Sequence, residues 1–167
     1  MTFRTFQPRS WQDEGLSPLP LTTSRVNNGF MEAIHVRHVD GDEFEIAVRQ
    51  HKLRVDQPVS DGGSDHAPTP TELFVSSLAA CVAFYVRRYL SRHELSTEGL
   101  VVDATYSFAT NPTRVGSIRV EVRLRDDVPA ESRPGLLAVA RHCTVHNTLE
   151  QSPEVQIDLV TSSAAAA

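Results

Sequence analysis

The sequence predicts an α+β domain, and three observations lead to this fold class. Alternating apolar and polar residues over 30–56 are typical of short β-strands, and two further alternating runs lie beyond residue 100. Between them, an apolar run over 70–93 begins with the signals of a helix start. Strands and helices that are grouped in this order favour antiparallel pairing over a parallel sheet.

The chain of 167 residues is expected to hold one domain, over residues 25–161. Residues 1–24 are rich in Pro, Ser and Thr and predict an extended N-terminal arm, while residues 162–167 predict a disordered tail.

The first β elements precede the helix. The runs "FMEAIHVRHV" and "FEIAVRQHKLRVD", separated by a turn at "GDE", predict a hairpin or a three-stranded meander. The segment "QPVSDGGSDHAPTP" that follows is too rich in Pro, Gly, Asp and Ser for a regular element, so we expect a loop.

The long helix is predicted from Pro70 to about His93. Thr69 is a suitable N-cap, Pro70 fits the first helical position, and Glu72 completes a capping box. Its first four turns are apolar almost all round, so we expect cover from a sheet and from another subunit.

The remaining elements follow in a regular order. The runs "LVVDATYSFA" and "GSIRVEVRLR" predict an antiparallel strand pair. Next, "PAESRPGLLAVARH" predicts a helix, "CTVHNTLEQ" a second short helix that begins at Cys143, and "EVQIDLV" a last strand.

Composition excludes several classes of function. A formal net charge of −5 argues against a nucleic-acid partner. No run approaches the roughly 20 apolar residues of a spanning helix, and the N-terminus lacks a signal-peptide core, so we expect a cytoplasmic protein without a membrane partner. The only cysteines, Cys81 and Cys143, form no CxxC pair, which argues against a disulfide framework.

Both cysteines permit two interpretations from the residues alone. Cys81 lies between apolar and aromatic helix neighbours, which favours a small core residue over a reactive thiol. Cys143 stands at a helix N-terminus, where the dipole favours a thiolate. A zinc site of Cys143, His142 and His146 lacks the second Cys pair that specific spacing requires, so we expect no metal and no cofactor.

Glu72 lies nine residues before Cys81, which on a regular helix places the two side chains on opposite faces and about 13 Å apart along the axis. Glu72 is therefore either the capping carboxylate, which we favour, or part of a site in another subunit.

Two segments together carry a family resemblance. The first, "HKLRVDQPVSDGGSDHAPTPTELFVSSLAACVAFYVRRYL", has a Pro-x-Glu-Leu-type helix start that leads to Ala-Ala-Cys, and the second is "LLAVARHCTVHNTL". In this order they resemble the OsmC/Ohr family over roughly residues 30–160.

The resemblance implies an OsmC-like fold, with antiparallel sheets around a long central helix in an intertwined homodimer. It also implies a thiol peroxidase for organic hydroperoxides, with Cys81 as the peroxidatic and Cys143 as the resolving cysteine at the dimer interface. An external dithiol would reduce the resulting disulfide. The alternative is a non-catalytic OsmC-like protein that binds a small lipophilic or electrophilic ligand in the interfacial cleft.

Two positions depart from the family pattern. Thr71 stands where the peroxidase branches have the activating Glu, which leaves Glu72 as the nearby acid, and Thr144 replaces the usual Pro after the second cysteine. For the arginine that the family uses to activate the first cysteine, Arg54 is the first candidate, followed by Arg49 and Arg37.

Overall fold

The computed structural model describes residues 33–125 and 128–161, so the predicted arm and tail lie outside the described residues. The chain divides into two compact units that meet between residues 67 and 68. Each unit is described by itself.

The first unit is a three-stranded antiparallel sheet in the order β1-β2-β3. Strand β1 covers Ile34–Asp40, β2 covers Glu43–Val48, and β3 covers His51–Val55. In the register, Val36 lies opposite Ile46, which in turn lies opposite Leu53. Apolar side chains therefore share one face of the sheet, and the predicted meander is confirmed.

The loop after β3 is organised around the buried carboxylate of Asp56. Its oxygens accept backbone hydrogen bonds from Gln57 at 2.7 Å, Ser64 at 3.1 Å and His66 at 3.0 Å. The His66 bond first, then those from Gln57 and Ser64, lower the pKa of Asp56 against the opposing effect of desolvation. One side chain thus holds together a loop rich in Gly and Pro.

This arrangement predicts that acid loosens the loop. Because the pKa of Asp56 is lowered by folding, its contribution to stability is present above the ordinary Asp pKa and is lost as pH falls through the folded value. Asp56→Asn should destabilise the protein at neutral pH. The stability of this variant should also change less than that of the wild type as pH falls through the acid range. Amide hydrogen exchange of Ser64 and His66 measured against pH checks the expectation. A wild-type exchange profile identical to that of the variant would contradict it.

The second unit surrounds one long helix. Helix α1 packs against an antiparallel hairpin and two shorter helices, with Val102 opposite Val122 and Tyr106 opposite Ile118 in the hairpin. The bounds are α1 Pro70–Arg92, β4 Val101–Ala109, β5 Arg114–Arg123, α2 Arg133–Arg141 and α3 Thr144–Glu150. The predicted order of helices and strands is confirmed up to residue 150.

Within the unit, α1 buries a single apolar stripe. The five buried positions recur every three or four residues, which is one face of a helix, and they are Val75, Leu78, Val82, Val86 and Leu90. Phe74 and Phe84 remain exposed. The expectation that α1 is covered on most sides is therefore not met inside the described part of this chain.

Helix α1 also corrects the expectation that no segment has the composition of a membrane span. By length and composition it is long and apolar enough to cross a bilayer. A stretch of 18 residues within it has a mean hydropathy of 1.4, and 28% of that stretch is buried. The core helix of a protein outside the membrane passes the same test, so this finding is weak evidence for a membrane.

The predicted last strand, "EVQIDLV", is wrong for the single chain. Residues 152–161 have no assigned helix or strand and are exposed. A strand needs a neighbour to pair its backbone N–H and C=O groups. Within the residues that the structure describes, no strand pairs with this segment.

Candidate active site

Helices α1 and α3 bring the two cysteines together. Cys81 lies in the middle of α1, and Cys143 is the N-cap of α3, with an extended backbone at φ −70° and ψ 150°. Both are free thiols; Cys81 packs against the core cluster that contains Cys143 and lies near enough to raise the pKa of its thiol. Two residues that are 62 positions apart in the chain therefore form one thiol pair.

The two thiols differ in accessibility. Cys143 is 0% exposed, whereas Cys81 is half-buried. Burial raises the pKa of the Cys143 thiol above its ordinary value; the His146 N–H opposes this effect, and the nearby Cys81 adds to it. The expectation that the helix N-terminus makes Cys143 a ready thiolate is therefore wrong, because desolvation outweighs the helix N–H groups.

The surroundings of the pair are mostly apolar, with Leu78 and Val82 buried and Val145 packed against the same core. One polar contact lies beside it: the Tyr85 hydroxyl and the Thr144 hydroxyl are 3.0 Å apart. Tyr85 is one turn beyond Cys81, and Thr144 directly follows Cys143. Sequence reasoning missed this pair, because nothing local signals a bond across 59 residues.

His146 lies next to Cys143 but forms no recognisable metal site with it. Its backbone N–H donates to the Cys143 sulfur at 3.4 Å, and its Nε2 is 3.9 Å from a carboxylate oxygen of Glu150. Its Nδ1 is buried without a hydrogen-bond partner among the described residues. Over those same residues, no group of three or more His, Cys, Asp and Glu side chains is arranged to hold a metal ion.

The capping box at the start of α1 is present in full. The Glu72 N–H donates to the Thr69 hydroxyl at 3.1 Å, and the Glu72 carboxylate accepts from the Thr69 N–H at 2.7 Å. This is the interpretation that the sequence favours for Glu72. Its role toward Cys81 stays a prediction.

The capping role and a charge role of Glu72 predict different mutant behaviour. Glu72→Ala should cost about 0.3–1.5 kcal/mol of unfolding free energy, because it removes one half of the box. Glu72→Gln keeps an acceptor for the Thr69 N–H and should be close to wild type in stability. Chemical unfolding together with the rate of thiol oxidation checks this. A slower thiol oxidation in Glu72→Gln at wild-type stability would show that the charge matters.

The arginine candidates are all in the first unit. Arg54, on β3, forms an ion pair with Glu43, whose other carboxylate oxygen is 3.6 Å from Nδ1 of His66. Arg37, on β1, is paired with the buried Glu45 at 3.2 Å. Arg49 has a positive φ of 53° in the turn before β3. Arg54 thus has a carboxylate partner, Glu43, that the sequence did not suggest, and its role toward Cys81 stays a prediction.

Two cavities of the second unit are lined by residues other than the thiol pair. One, of about 420 Å³, is lined by Thr71, Phe74 and Arg114 among others. The second, of about 310 Å³, lies between α1, β5 and α2 and has Arg125 and Arg133 among its lining residues. Thr71, at the position of the family acid, therefore faces a largely apolar groove.

Comparison with known proteins decides the family. The family model described as OsmC-like protein matches residues 62–158, which is more than half of the chain. The chain belongs to the OsmC-like protein family. The matched region of this OsmC-like protein contains Cys81 and Cys143, and the resemblance inferred from its sequence is confirmed. No curated protein sequence is significantly similar to it.

Solved structures show the same fold. A Psychrobacter arcticus 273-4 protein, named for osmotic stress induction and a detoxification response, is 20% identical over 74% of this chain and 91% of its own, with a TM-score of 0.67. An organic hydroperoxide resistance protein from Legionella pneumophila is 19% identical over 72% and 91%, with a TM-score of 0.53. One from Elizabethkingia anophelis is 16% identical over 73% and 91%, with a TM-score of 0.56. These likenesses establish the α+β fold of the OsmC-like protein.

Proposed function

We propose that this OsmC-like protein reduces organic hydroperoxides with Cys81 and Cys143 as its redox pair. The observation that carries the proposal is that two free thiols, one on α1 and one at the start of α3, come together at the same core. Structural neighbours from Legionella pneumophila and Elizabethkingia anophelis are organic hydroperoxide resistance proteins, which supports the same activity.

The difference in accessibility supports the proposed roles of the two cysteines. Half-buried Cys81 attacks the O–O bond as the thiolate, takes up one oxygen as a sulfenic acid, and releases the alcohol. Buried Cys143 then attacks the sulfenic sulfur; the S–O bond breaks, the S–S bond forms, and the hydroxyl leaves as water with the Cys143 proton. An external dithiol reduces the disulfide by exchange.

The apolar surroundings indicate the substrate class. Leu78, Val82 and Val145 supply aliphatic surface next to the pair, which favours a peroxide with an alkyl group over hydrogen peroxide. The proposal includes a homodimer, since α1 leaves Phe74 and Phe84 exposed and a second copy is the expected cover. It also includes a cytoplasmic location, where cellular reductants keep thiols reduced.

A thiol titration tests the proposal. The reduced protein is treated with one equivalent of an alkyl hydroperoxide, or with hydrogen peroxide for comparison, and free thiols are counted over time. We expect rapid loss of both thiols and an intrachain Cys81–Cys143 disulfide in peptide mass spectra. Thiols that survive prolonged treatment with the alkyl hydroperoxide would overturn the proposal.

A second function, non-catalytic binding of a small lipophilic or electrophilic ligand, is favoured by one observation. Glu72, the acid nearest to the family position, is bonded to Thr69 in the capping box. A protein of this kind would bind an alkyl alcohol or hydroperoxide without consuming it. Peroxide that remains intact in the titration, together with saturable binding, would favour this alternative.

The proposed resolving step has a predictable pH dependence. Because burial raises the pKa of Cys143, the thiolate fraction keeps increasing as pH rises past the ordinary thiol range. The rate of disulfide formation after sulfenic acid appears should therefore increase with pH from 6 to about 9 without a plateau near 7. Quenched-flow alkylation across this range provides the measurement. A plateau below the ordinary thiol pKa would contradict the assignment.

A further inference from the structure

The hydrogen bond between Tyr85 and Thr144 joins the two elements that carry the thiols. Its oxygens are 3.0 Å apart. Tyr85 lies four residues after Cys81, one turn along α1, and Thr144 is the first residue of α3, directly after Cys143. A single side-chain contact therefore bridges α1 and α3 beside the thiol pair.

Two hydrogen bonds, one to Cys143 and one to its neighbour Thr144, hold Cys143 in place. On its own helix, the His146 N–H donates to the Cys143 sulfur at 3.4 Å. Between the two helices, the hydroxyl of the neighbouring Thr144 is hydrogen-bonded to the hydroxyl of Tyr85 on α1. The first contact orients the Cys143 side chain, and the second sets the distance of its main chain from α1.

We propose that Tyr85 and Thr144 are positioning residues for disulfide formation, which rests on the proposed function of the Cys81–Cys143 pair. A disulfide requires the two Cα atoms to lie about 4.4–6.8 Å apart, with a narrow range of torsion angles. By fixing Thr144 to α1, the bond limits how far Cys143 can move from Cys81 while Cys81 is a sulfenic acid. The resolving thiol then attacks in place of a second peroxide molecule.

The proposal separates two steps of the reaction. The attack of Cys81 on the peroxide does not use the Cys143 sulfur, so its rate should be unchanged when the bond is removed. Formation of the S–S bond depends on the fraction of time that the Cys143 sulfur is within reach of the Cys81 sulfenic acid. Loss of one hydrogen bond of this kind should slow closure by about three- to tenfold.

The test uses four single variants and one double variant of the full chain. Tyr85→Phe and Thr144→Val each remove one hydroxyl with little change in shape, and Thr144→Ser keeps the hydroxyl. Thr148→Val is the matched control, because the Thr148 hydroxyl donates to the Thr144 carbonyl at 2.9 Å, a bond that lies within α3.

Sulfenic acid is trapped with a dimedone-type reagent, and disulfide is counted by alkylation and mass spectrometry. We expect Tyr85→Phe and Thr144→Val to form sulfenic acid at the wild-type rate and disulfide about three- to tenfold more slowly. Thr144→Ser and Thr148→Val should behave as wild type. The double variant Tyr85→Phe/Thr144→Val should be no slower than either single variant, since both remove the same bond.

Rates of disulfide formation that stay at the wild-type value in both Tyr85→Phe and Thr144→Val would overturn the proposal. A double variant whose rate is lowered by the product of the two single effects would also overturn it. A glutathione redox buffer makes the test independent of peroxide chemistry. There the equilibrium between the dithiol and the Cys81–Cys143 disulfide should shift toward the dithiol by the same factor in both variants. If the wild type fails to react with peroxide, the proposed function falls, and the glutathione measurement still decides whether the pair positions Cys143.

Discussion

Cys81→Ser is expected to abolish peroxide consumption by this OsmC-like protein. The thiolate is the species that attacks a peroxide oxygen, and a serine hydroxyl neither ionises near neutral pH nor accepts the oxygen. The loss should be on the order of 10³-fold or more, as is usual when a nucleophile is removed. Consumption of an alkyl hydroperoxide in the presence of excess dithiol measures it.

Cys143→Ser provides the matched comparison, because it removes the other thiol from the same pair. Cys143 is buried and follows Cys81 in the proposed order, so the first oxidation should continue at the wild-type rate. Sulfenic acid on Cys81 should then accumulate and, under excess peroxide, proceed to the sulfinic acid. Mass spectra that show one added oxygen and then two would confirm this order. Equal loss of the first oxidation in both variants would contradict it.

The helices and strands were predictable because their signals are local. Thr69, Pro70 and Glu72 predict a capping box, and the structure contains that box with both of its hydrogen bonds. The alternation of Ile118, Val120 and Val122 predicts a strand, and these residues lie in β5 with that face toward α1. Periodicity and capping depend on neighbours in the chain, which a sequence displays directly.

The details of the site were less predictable because they arise from contacts between distant residues. Whether Cys143 favours the thiolate depends on a balance between burial and the N–H groups of α3, and burial wins. The Tyr85–Thr144 bond and the ring of amide donors around Asp56 also exist only after the chain has folded. The pairing of Cys81 with Cys143 came from the family resemblance, since spacing alone favoured a core residue at position 81.

The last predicted strand failed for a different reason: its apolar pattern is present in the sequence, but no strand among the described residues pairs with it. In residues 154–160, Val155, Ile157 and Leu159 alternate with polar residues and are 74%, 90% and 94% exposed. Exposed aliphatic side chains with a strand period are typical of a segment that pairs with another sheet. Since α1 also leaves apolar surface uncovered, a second copy of the chain is the expected partner.

A triple substitution of Val155, Ile157 and Leu159 by Ser is therefore expected to weaken the proposed homodimer strongly. Burial of an aliphatic side chain of this size contributes about 1.5–3 kcal/mol, so three of them contribute roughly 5–9 kcal/mol before the costs of association. The dimer dissociation constant should increase by about 10³-fold or more, since each 1.4 kcal/mol is a factor of ten. Sedimentation equilibrium over a range of concentrations measures it.

The chain offers a matched control in the same segment. Glu154, Gln156 and Asp158 occupy the alternate positions, whose side chains point to the opposite face of an extended strand. Their triple substitution by Ser should leave the dimer within a few-fold of wild type. An equal loss of dimer in both triple variants would show that the backbone, and not the apolar face, carries the contact.

Hydrogen exchange distinguishes a lost interface from a lost fold. In the proposed wild-type dimer, the amides of residues 154–160 should be protected, because strand pairing supplies them with carbonyl acceptors that no strand in the described part of the chain provides. In the apolar triple variant, protection should disappear from this segment while the amides of α1 near Leu78 and Val82, within the buried stripe, keep theirs. A monomeric wild type with unprotected 154–160 amides would remove the second copy from the proposal and leave the exposed face of α1 to be covered by another partner.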